Sequence, residues 1–339
     1  MNNKKILVTG GAGYIGSHTL VELVDQGYEP VIYDNFSNSS SEVINRVKKI
    51  TGKKLDCITA DIRDVEALRH SFNEYCFDSV IHFAGLKAVG ESVAQPLLYY
   101  QNNVQGSLAL FQVMQESSCY KLVFSSSATV YGDPEKVPID ESAKLQTTNP
   151  YGQSKLMVEN ILRDLSASDS KWQISILRYF NPVAAHPSGL IGEDPNGVPN
   201  NLMPYIAQVA VGKLKKLSVF GNDYPTPDGT GIRDYIHVVD LANAHLSALN
   251  ALSEEHGCQA YNIGTGQGYS VLEMVKAFEK ASSKSIPFEF KTRRGGDIAS
   301  CYAKTDYSNE RLSWQAKFSL QEMMDDQWRW QSNNPNGYQ

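Results

Sequence analysis

The sequence predicts an α/β fold in which a doubly wound parallel sheet is followed by a smaller α/β domain. Two observations favour this fold. Short apolar runs alternate with amphipathic helical segments through the first half of the chain, and a glycine-rich turn follows the first of these runs. Neither an internal repeat nor a low-complexity linker interrupts the pattern. We therefore divide the chain into residues 1–180 and 181–339, with some strands and helices of the second part interleaved with the first.

The composition argues against several classes of function. The chain has 339 residues and a formal net charge of −6, and its densest basic run, Lys213–Lys216, is too short for a nucleic-acid or membrane surface. No apolar run approaches a membrane span, and the sequence leads into a strand without a signal peptide. Cys-x-x-Cys and His-x-x-x-His spacings are both absent. We expect a cytoplasmic protein with reduced thiols and without a metal, nucleic-acid or membrane partner.

The first βα unit carries the glycine-rich turn. Lys4–Thr9 is typical of a buried parallel strand, and a helix is predicted over Tyr14–Gln26. Between them, Gly10, Gly13 and Gly16 are spaced Gly-x-x-Gly-x-x-Gly. Glycine allows a tight turn and a close approach to a pyrophosphate, which the helix N-terminus then holds. We expect a Rossmann-type dinucleotide site with contacts from Gly10, Gly13, Tyr14, Ile15 and Gly16.

An aspartate ends the second predicted strand. Pro30–Tyr33 leads into Asp34, whose carboxylate can accept hydrogen bonds from the adenosine ribose and would repel a 2′-phosphate, so NAD is favoured over NADP. A solvated loop aspartate is the alternative, and the glycine turn upstream makes it the weaker interpretation. The following loop and the end of the next strand, Leu55–Ala60, are expected to contact the adenosine. These residues are Asn35, Phe36, Ser37, Asn38 and Ser39, with Asp61 and Ile62.

Two further strand ends extend the predicted site. Strands over Ser79–Ala84 and Lys121–Ser125 should end at the same edge of the sheet, where ligands bind in doubly wound folds. A long helix is predicted over Pro96–Ser117, with Asn102 or Asn103 near its start. The cofactor contacts expected here are Phe83, Ala84, Gly85, Leu86, Lys87, Asn102 and Ser125.

Tyr151 and Lys155 form the candidate reactive pair. They open a helix predicted over Tyr151–Ser166, directly after Pro150, and their spacing puts them one turn apart on one face. A phenol is a poor base at neutral pH because its pKa is about 10, and a nearby ammonium favours the phenolate. An ordinary surface pair is the alternative interpretation. It is the weaker one only because the rest of the sequence supplies a dinucleotide site.

The second half differs in composition. Pro182–Asn201 is rich in Pro, Gly and Asn and long for a connector, so we interpret it as a binding loop. The predicted elements after it are a helix over Met203–Gly212, a strand over Leu217–Phe220, a strand end at Tyr261–Gly264 and a helix over Val271–Ala281. This half is interpreted as a smaller lid over a substrate.

Several motifs give the chain a family resemblance. The main ones are Gly10–Gly16, Ser125–Gly132, Tyr151-x-x-x-Lys155 and Arg178–Pro182. With them the chain resembles the extended short-chain dehydrogenase/reductases, and more closely the UDP-glucose (UDP-galactose) 4-epimerase family, along essentially its whole length. Three more runs stand where that family has them: Pro199–Pro204, Arg233–His237 and Arg293–Asp297.

The resemblance implies a reaction. Tyr151 takes the proton from the 4′-hydroxyl of a UDP-hexose while hydride passes from C4′ to tightly held NAD; the 4′-keto sugar turns over, and hydride returns to its opposite face. Lys155 is expected to lower the pKa of Tyr151 and to bond the nicotinamide ribose, and Ser127 to bond the 4′ oxygen. A homodimer through the two long helices is also implied.

The resemblance also assigns contacts. Those with the UDP-sugar fall on Lys87, Ser127, Tyr151, Asn181, Asn201, Leu202, Ser218, Phe220, Arg233, Tyr235, Arg294, Asp297 and Cys301. Two more cofactor contacts fall on Tyr179 and Phe180. A guanidinium fork suits a diphosphate because it can pair bidentately with the phosphate oxygens.

Two other functions compete with epimerisation. A nucleotide-sugar 4,6-dehydratase, or another sugar-modifying short-chain dehydrogenase, would resemble this fold. A dehydratase, however, carries an Asp-Glu pair where this chain has Ala128 and Thr129, and a decarboxylase would also need an acid there. A non-catalytic NAD-sensing regulator would have no need of Ser127, Tyr151 and Lys155 together.

Cys301 bears on the range of substrates. It lies four positions after Asp297, where family members restricted to UDP-glucose and UDP-galactose tend to have tyrosine and those that also take N-acetylated sugars have a small residue. A thiol leaves room for a larger C2 substituent. We therefore expect UDP-GlcNAc and UDP-GalNAc to be substrates as well. Alternatively, Cys301 is merely a buried small residue, or Tyr302 fills the gap.

Overall fold

A seven-stranded parallel sheet forms the larger part of the computed structural model, which describes residues 4–195, 199, 201–254, 256–294 and 297–339. Its strands are β1 (Lys5–Thr9), β2 (Glu29–Asp34), β3 (Asp56–Thr59), β4 (Ser79–His82), β5 (Lys121–Ser127), β6 (Gln173–Tyr179) and β10 (Gly257–Ile263). They lie in the order β3-β2-β1-β4-β5-β6-β10. The order reverses between β1 and β4, which is where ligands bind in such sheets.

Helices cover both faces of this sheet. They are α1 (Tyr14–Asp25), α2 (Glu42–Thr51), α3 (Val65–Tyr75), α4 (Val89–Ala94), α5 (Pro96–Tyr99), α6 (Gly106–Glu116), α7 (Pro150–Ser168) and α9 (Val238–Ala251). Alternate strand residues face two separate cores: Ile6 and Val8 pack with α1, α2 and α9, whereas Leu7 packs with α3, α6 and α7. Because strands buried on both faces need apolar residues throughout, β1 reads as one continuous apolar run. The predicted doubly wound fold is confirmed.

The helix predicted over Pro96–Ser117 is not regular. A π-helical turn, Tyr100–Gln105, separates α5 from α6. Within it, buried Asn103 accepts a hydrogen bond from the Leu86 amide (2.8 Å) and donates to the Leu86 carbonyl and the Ser154 hydroxyl (3.0 Å each). Single π-helical turns are frequent at functional sites. Here the turn aims an amide side chain at the loop after β4.

The second half of the chain builds two small sheets. One contains β7 (Asn181–Val183), β9 (Ile232–His237), β11 (Gly268–Ser270) and β13 (Ser300–Cys301), and the other pairs β8 (Leu217–Phe220) with β12 (Phe288–Lys291). The helices are α8 (Leu202–Ala210), α10 (Val271–Ser282), α11 (Asp306–Arg311) and α12 (Leu320–Asn333). Capping boxes at Ser270 and Ser319 start α10 and α12. The sequence patterns do not predict the short strands β7, β11, β12 and β13, or the helices α11 and α12.

The two halves are interleaved through β10 and α9. Although it comes late in the chain, β10 pairs in parallel with β6 along its whole length, from Gly257 beside Gln173 to Ile263 beside Tyr179. α9 packs against α1 on the same sheet, where Tyr28 donates a hydrogen bond to Asn250 (2.6 Å). Among the described residues, no helix is long and apolar enough to cross a membrane, and no cluster of three or more His, Cys, Asp or Glu side chains could hold a metal ion.

Candidate active site

The glycine turn brings the backbone of β1, α1 and β4 into close contact. Gly10 has a φ of +68°, and a Cβ there would lie 2.7 Å from the Ala84 nitrogen. A Cβ on Gly16 would lie 2.5 Å from the Gly10 carbonyl oxygen. A larger side chain at Gly10 or Gly16 would push α1 away from the turn. Only glycine at these positions therefore lets the N-terminus of α1 face the cleft at the carboxyl ends of β1 and β4. Gly10, Gly13, Tyr14, Ile15 and Gly16 all line this cleft.

Asp34 fixes one end of the cleft. Its carboxylate is 7% exposed and accepts hydrogen bonds from the amides of Ala12 (3.0 Å) and Phe36 (2.9 Å) and from the Ser39 hydroxyl (3.0 Å). A carboxylate has about four acceptor positions, which leaves one for a ribose hydroxyl. Among the described lining residues the cations are Lys87 and Lys155, and no arginine is present to hold a 2′-phosphate. The site fits NAD.

Most predicted cofactor residues share this cleft. Besides those already named, its lining includes Asn35, Ser37, Asn38, Ser39, Ile62, Phe83, Ala84, Gly85, Leu86, Lys87, Asn102, Tyr151, Lys155 and Tyr179. Four others do not line it. Asp61 pairs with Arg63 (2.8 Å), Phe36 has a φ of +56°, the Ser125 carbonyl accepts a hydrogen bond from Lys155, and Phe180 packs in a small apolar core. Contact with a cofactor stays a prediction for all of these residues, those that line the cleft included.

The reactive groups stand where α7 meets β5. The Asn149 side chain caps α7 by accepting from the Gly152 amide (2.8 Å). A Cβ on Gly152 would lie 3.0 Å from the Thr129 carbonyl oxygen, so the first turn of α7 packs directly on the 3-10 turn, Ala128–Tyr131, that follows Ser127. This packing brings Tyr151 to Ser127. The end of β5, with Ser127, and the first turns of α7, with Tyr151 and Lys155, thus lie next to each other.

Lys155 is buried with few charged neighbours. Its ammonium donates to the Ser125 carbonyl (2.7 Å) and lies over the Phe124 ring (4.9 Å from the centroid). Burial lowers the pKa of Lys155 to about 8, while Glu159, one turn further along α7, raises it. The ammonium therefore titrates close to neutral pH.

The phenol of Tyr151 is also shielded from water. Burial raises its pKa, and the hydrogen bond with Ser127 lowers it. The ammonium of Lys155 is engaged by the Ser125 carbonyl, and its effect on the pKa of Tyr151 stays a prediction. Here Ser127 is the group that opposes the effect of burial.

Sequence reasoning missed a buried ion pair behind these groups. Glu159 accepts two hydrogen bonds from Arg178 (3.0 and 2.7 Å) and one from Ser126 (2.6 Å). Arg178 also donates to the Tyr131 hydroxyl (2.9 Å), which donates to Asn262 (2.7 Å). Burial would raise the pKa of Glu159, but Arg178 holds it below its ordinary value. The network ties α7 to β5, β6 and β10. Its only signal in the sequence is that Glu159 follows Lys155 by four residues, one helical turn.

The predicted UDP-sugar residues gather along the small sheets. Asn181 is paired with Tyr235 between β7 and β9, and Arg233 with Cys301 between β9 and β13. The Arg294 guanidinium lies over the Phe220 ring (4.8 Å) and pairs with Asp297 (3.0 Å). Ser218 lies in β8, and Leu202 starts α8. Gly295 and Gly296 of the predicted Arg293–Asp297 run lie outside the described residues.

Positive charge collects in this second region. Burial raises the pKa of Tyr235 to about 12, and the positive charges of Arg233 and Arg294 both lower it. Such charges can hold an anionic group next to an aromatic surface. Contact of Arg233 and Arg294 with a diphosphate stays a prediction.

Glu193, which sequence reasoning also missed, links the dinucleotide cleft to the predicted UDP-sugar residues. Glu193 accepts hydrogen bonds from Lys87 (2.9 Å) and Asn201 (2.9 Å), and it lines the dinucleotide cleft. Lys87 belongs to the loop after β4, whereas Asn201 directly precedes α8. The carboxylate therefore joins a predicted cofactor residue to a predicted sugar residue. Nothing in the composition of Pro182–Asn201 singles it out.

Comparison with known proteins agrees with this geometry. Residues 7–327 match the protein-family model described as GDP-mannose 4,6 dehydratase. The UDP-glucose 4-epimerase of Bacillus subtilis is 63% identical over 333 residues, which are 98% of each chain. The chain belongs to the UDP-glucose 4-epimerase family.

Solved structures of this family superpose closely on the chain. The UDP-glucose 4-epimerase of Bifidobacterium longum, in complex with NAD⁺ and UDP, is 52% identical with a TM-score of 0.96 and covers 98% of this chain and 100% of its own. That of Stenotrophomonas maltophila, with bound NAD and formylated UDP-arabinopyranose, is 49% identical with a TM-score of 0.96 and covers 98% of this chain and 99% of its own. The resemblance read from the motifs is confirmed.

The dehydratase described by the family model is not favoured. The turn after Ser127 presents Ala128 and Thr129, which are unable to relay a proton, and the nearby acid Glu159 is held by Arg178. The curated relatives at 57–63% identity are named as epimerases.

Proposed function

We propose that this chain catalyses the NAD-dependent 4-epimerisation of UDP-hexoses. The observation that carries the proposal is that Tyr151, with Ser127 next to it, and Lys155 line the same cleft as Asp34. Asp34 ends β2 and Ser127 ends β5, three strand spacings away, which is about 14 Å. That separation suits a dinucleotide lying across the sheet with its adenosine at Asp34.

The protein groups have distinct roles in this reaction. NAD, when bound, supplies the acceptor and then the donor of the C4′ hydride. Tyr151 removes the proton from the 4′-hydroxyl and returns it after the keto sugar has turned over. Ser127 bonds the same oxygen and favours the phenolate, and Lys155 adds positive charge and a donor for the nicotinamide ribose. Burial of all three excludes water, so the keto intermediate is not lost to side reactions.

The small sheets hold the UDP part in this proposal. Arg233 and Arg294 bind the diphosphate, and Phe220, beneath the Arg294 guanidinium, offers a face to the uracil. Anchoring the nucleotide leaves the hexose free to rotate, which an enzyme that transfers hydride to both faces of C4′ needs. Residues 181–339 therefore act mainly as the sugar-nucleotide domain and residues 1–180 as the NAD domain.

We also propose that N-acetylated sugars are accepted. Cys301 packs against the small apolar core that contains Ala128 and Phe180, the neighbours of Ser127 and Tyr179 in the chain. The Tyr302 ring instead lies against Gly268, where a Cβ would come 3.2 Å from it. Tyr302 follows the last residue of β13, and its ring is therefore engaged at Gly268. A small thiol at this position leaves room for a C2 acetamido group.

A homodimer in the cytoplasm completes the proposal. Leu97, Leu108 and Met157 lie on α5, α6 and α7 with exposed fractions of 73%, 47% and 41%. A second copy could cover these apolar side chains in a helix bundle. The five cysteines are all free thiols, which suits a reducing compartment.

The decisive experiment separates epimerisation from redox and dehydration. Purified protein is denatured and the released nucleotide is identified, and UDP-galactose is then supplied without added cofactor. We expect NAD in the protein and UDP-glucose as the product, without net formation of NADH. Release of NADP, or a 4-keto-6-deoxy sugar as the product, would contradict the proposal.

A further inference from the structure

Residues 190–195 form a wall of the dinucleotide cleft that no motif marks. Gly192, Glu193, Asp194 and Pro195 line the cleft, and so does Tyr338 from a remote part of the chain. The wall stands near the N-terminus of α1, because the Lys87 ammonium that pairs with Glu193 (2.9 Å) also lies over the Tyr14 ring (6.0 Å from the centroid). A dinucleotide lying on the glycine turn would have this wall on its other side.

Tyr338 holds the wall by hydrogen bonds on both sides of one residue. Its hydroxyl accepts from the Gly192 amide (3.0 Å) and donates to the Gly192 carbonyl (2.9 Å). Its own amide donates to the Asp194 carboxylate (2.9 Å). The Tyr338 hydroxyl therefore bonds both the amide and the carbonyl of Gly192, as a neighbouring strand would do in a sheet.

The contact surface is shaped by glycine on both partners. A Cβ on Gly192 would lie 2.5 Å from the Trp330 ring. Gly337 has a φ of +76°, and a Cβ there would overlap the Asp194 carboxylate. Two glycines in distant segments thus allow the same close approach.

Arg46 connects this contact to the first half of the chain. From α2, its guanidinium lies over the rings of Trp330 (5.6 Å) and Tyr338 (5.0 Å). It also donates to the Leu190 carbonyl (3.1 Å) at the start of the wall. The wall is therefore fastened to the helix that follows the Asp34 loop, as well as to Trp330 and Tyr338.

We propose that residues 330–338 act as a clasp that holds the wall over NAD, and that Tyr338 is a positioning residue that sets how slowly the cofactor leaves. The proposal rests on the proposed use of NAD. Opening the cleft on this side requires the wall to move. That movement breaks both hydrogen bonds of the Tyr338 hydroxyl, as well as the Lys87–Glu193 ion pair (2.9 Å) across the cleft.

The test compares two tyrosines that each bond a distant segment. Tyr338→Phe keeps the ring against Arg46 and removes only the hydroxyl. Tyr28→Phe is the matched control, since its hydroxyl also bonds across the fold, to Asn250, but away from the cleft. We expect bound NAD to dissociate about tenfold faster from Tyr338→Phe, as the loss of one or two hydrogen bonds implies, and at the wild-type rate from Tyr28→Phe.

A second readout is independent of the cofactor. Amide hydrogen exchange over residues 190–195 should speed up in Tyr338→Phe and stay unchanged in Tyr28→Phe, whether or not the protein carries NAD. Gly337→Ala should speed up both NAD release and exchange at least as much. The clasp would be overturned if amide exchange over residues 190–195 in Tyr338→Phe stayed at the wild-type rate. It would also be overturned if Tyr28→Phe accelerated that exchange equally. Absence of NAD from the wild-type protein would contradict the proposed function, and the exchange data would still decide the clasp.

Discussion

The dinucleotide cleft is built differently from the sugar-nucleotide region, which is the part of the two small sheets that carries the predicted UDP-sugar residues. In the cleft, Asp34, Gly10, Ala84 and Ser127 all stand at or just after the carboxyl ends of neighbouring parallel strands. In the other region, groups come together through short pairings between distant segments, such as Arg233 beside Cys301. The first arrangement follows from consecutive βα units, and the second from long-range contacts alone.

The difference explains the division of labour in the proposed reaction. The reactive groups Tyr151 and Lys155 are buried in the cleft, and burial shifts the pKa values of both. The sugar-nucleotide region is more exposed; Phe220, for example, is 38% exposed. Changes in the cleft should therefore alter chemistry, whereas changes in the other region should alter binding and selectivity. Four substitutions test that contrast, from the largest expected effect to the smallest.

Tyr151→Phe should have the largest effect. Removing the proton acceptor should lower turnover of UDP-galactose by about a thousandfold or more. The affinity for UDP should stay within about twofold of wild type, because Arg233 and Arg294 are untouched. Steady-state kinetics and calorimetric titration with UDP measure the two effects. Near-normal turnover would reject Tyr151 as the base.

Glu159→Gln should strongly lower the free energy of unfolding, because it breaks the buried network behind the cleft. It leaves the buried Arg178 charge without a carboxylate, which typically costs about 3–5 kcal/mol. The control is Glu116→Gln, since Glu116 pairs with Arg69 on the surface and should matter little. Urea unfolding curves compare the two variants. Equal midpoints would show that the buried network contributes no more than a surface pair.

Lys155→Met should change the pH dependence as well as the rate. Turnover should fall about a hundredfold, and activity should need a higher pH, because the phenol of Tyr151 loses its cationic neighbour and its pKa rises. Wild-type activity should decline above about pH 8, where Lys155 loses its proton, and this decline should be absent from the variant. Identical pH profiles of kcat would contradict the role given to Lys155.

Cys301→Tyr should have the smallest effect on the plain sugars. A phenol ring would fill space that the thiol leaves beside the apolar core of Ala128 and Phe180, so turnover of UDP-GlcNAc and UDP-GalNAc should be abolished, while UDP-glucose and UDP-galactose are largely spared. Cys76→Tyr, at an exposed thiol, is the control and should alter neither pair. A wild-type protein inert toward the N-acetylated sugars would show that Cys301 does not set the pocket size.

Local sequence patterns predicted the cleft well. The glycine turn, Asp34 and the Tyr151–Lys155 spacing each belong to a single βα unit, so the residues that build them are close in the chain. The family and the fold class followed from them. The sugar-nucleotide residues could be assigned only through the family resemblance, because β7, β9 and β13 are short and their pairing has no periodic signal.

Other features had no signal in the sequence. Tyr338 lies 146 residues from Gly192, and neither residue has a pattern that indicates the other. Arg178 opens a family motif, but nothing in the sequence pairs it with Glu159, and the fold buries the two together. The π-helical turn at Tyr100–Gln105 also escaped the periodicity, since a helix with one wider turn keeps nearly the same apolar pattern.

The fate of the hydrogen on C4 tests the central claim most directly. UDP-galactose deuterated at C4 is incubated with the purified protein without added cofactor, and the products are analysed by mass spectrometry and NMR. Hydride that leaves and returns through one bound NAD should give UDP-glucose with deuterium still at C4. Deuterium lost to solvent, or carried to C6 of a 4-keto-6-deoxy product, would contradict epimerisation by this route.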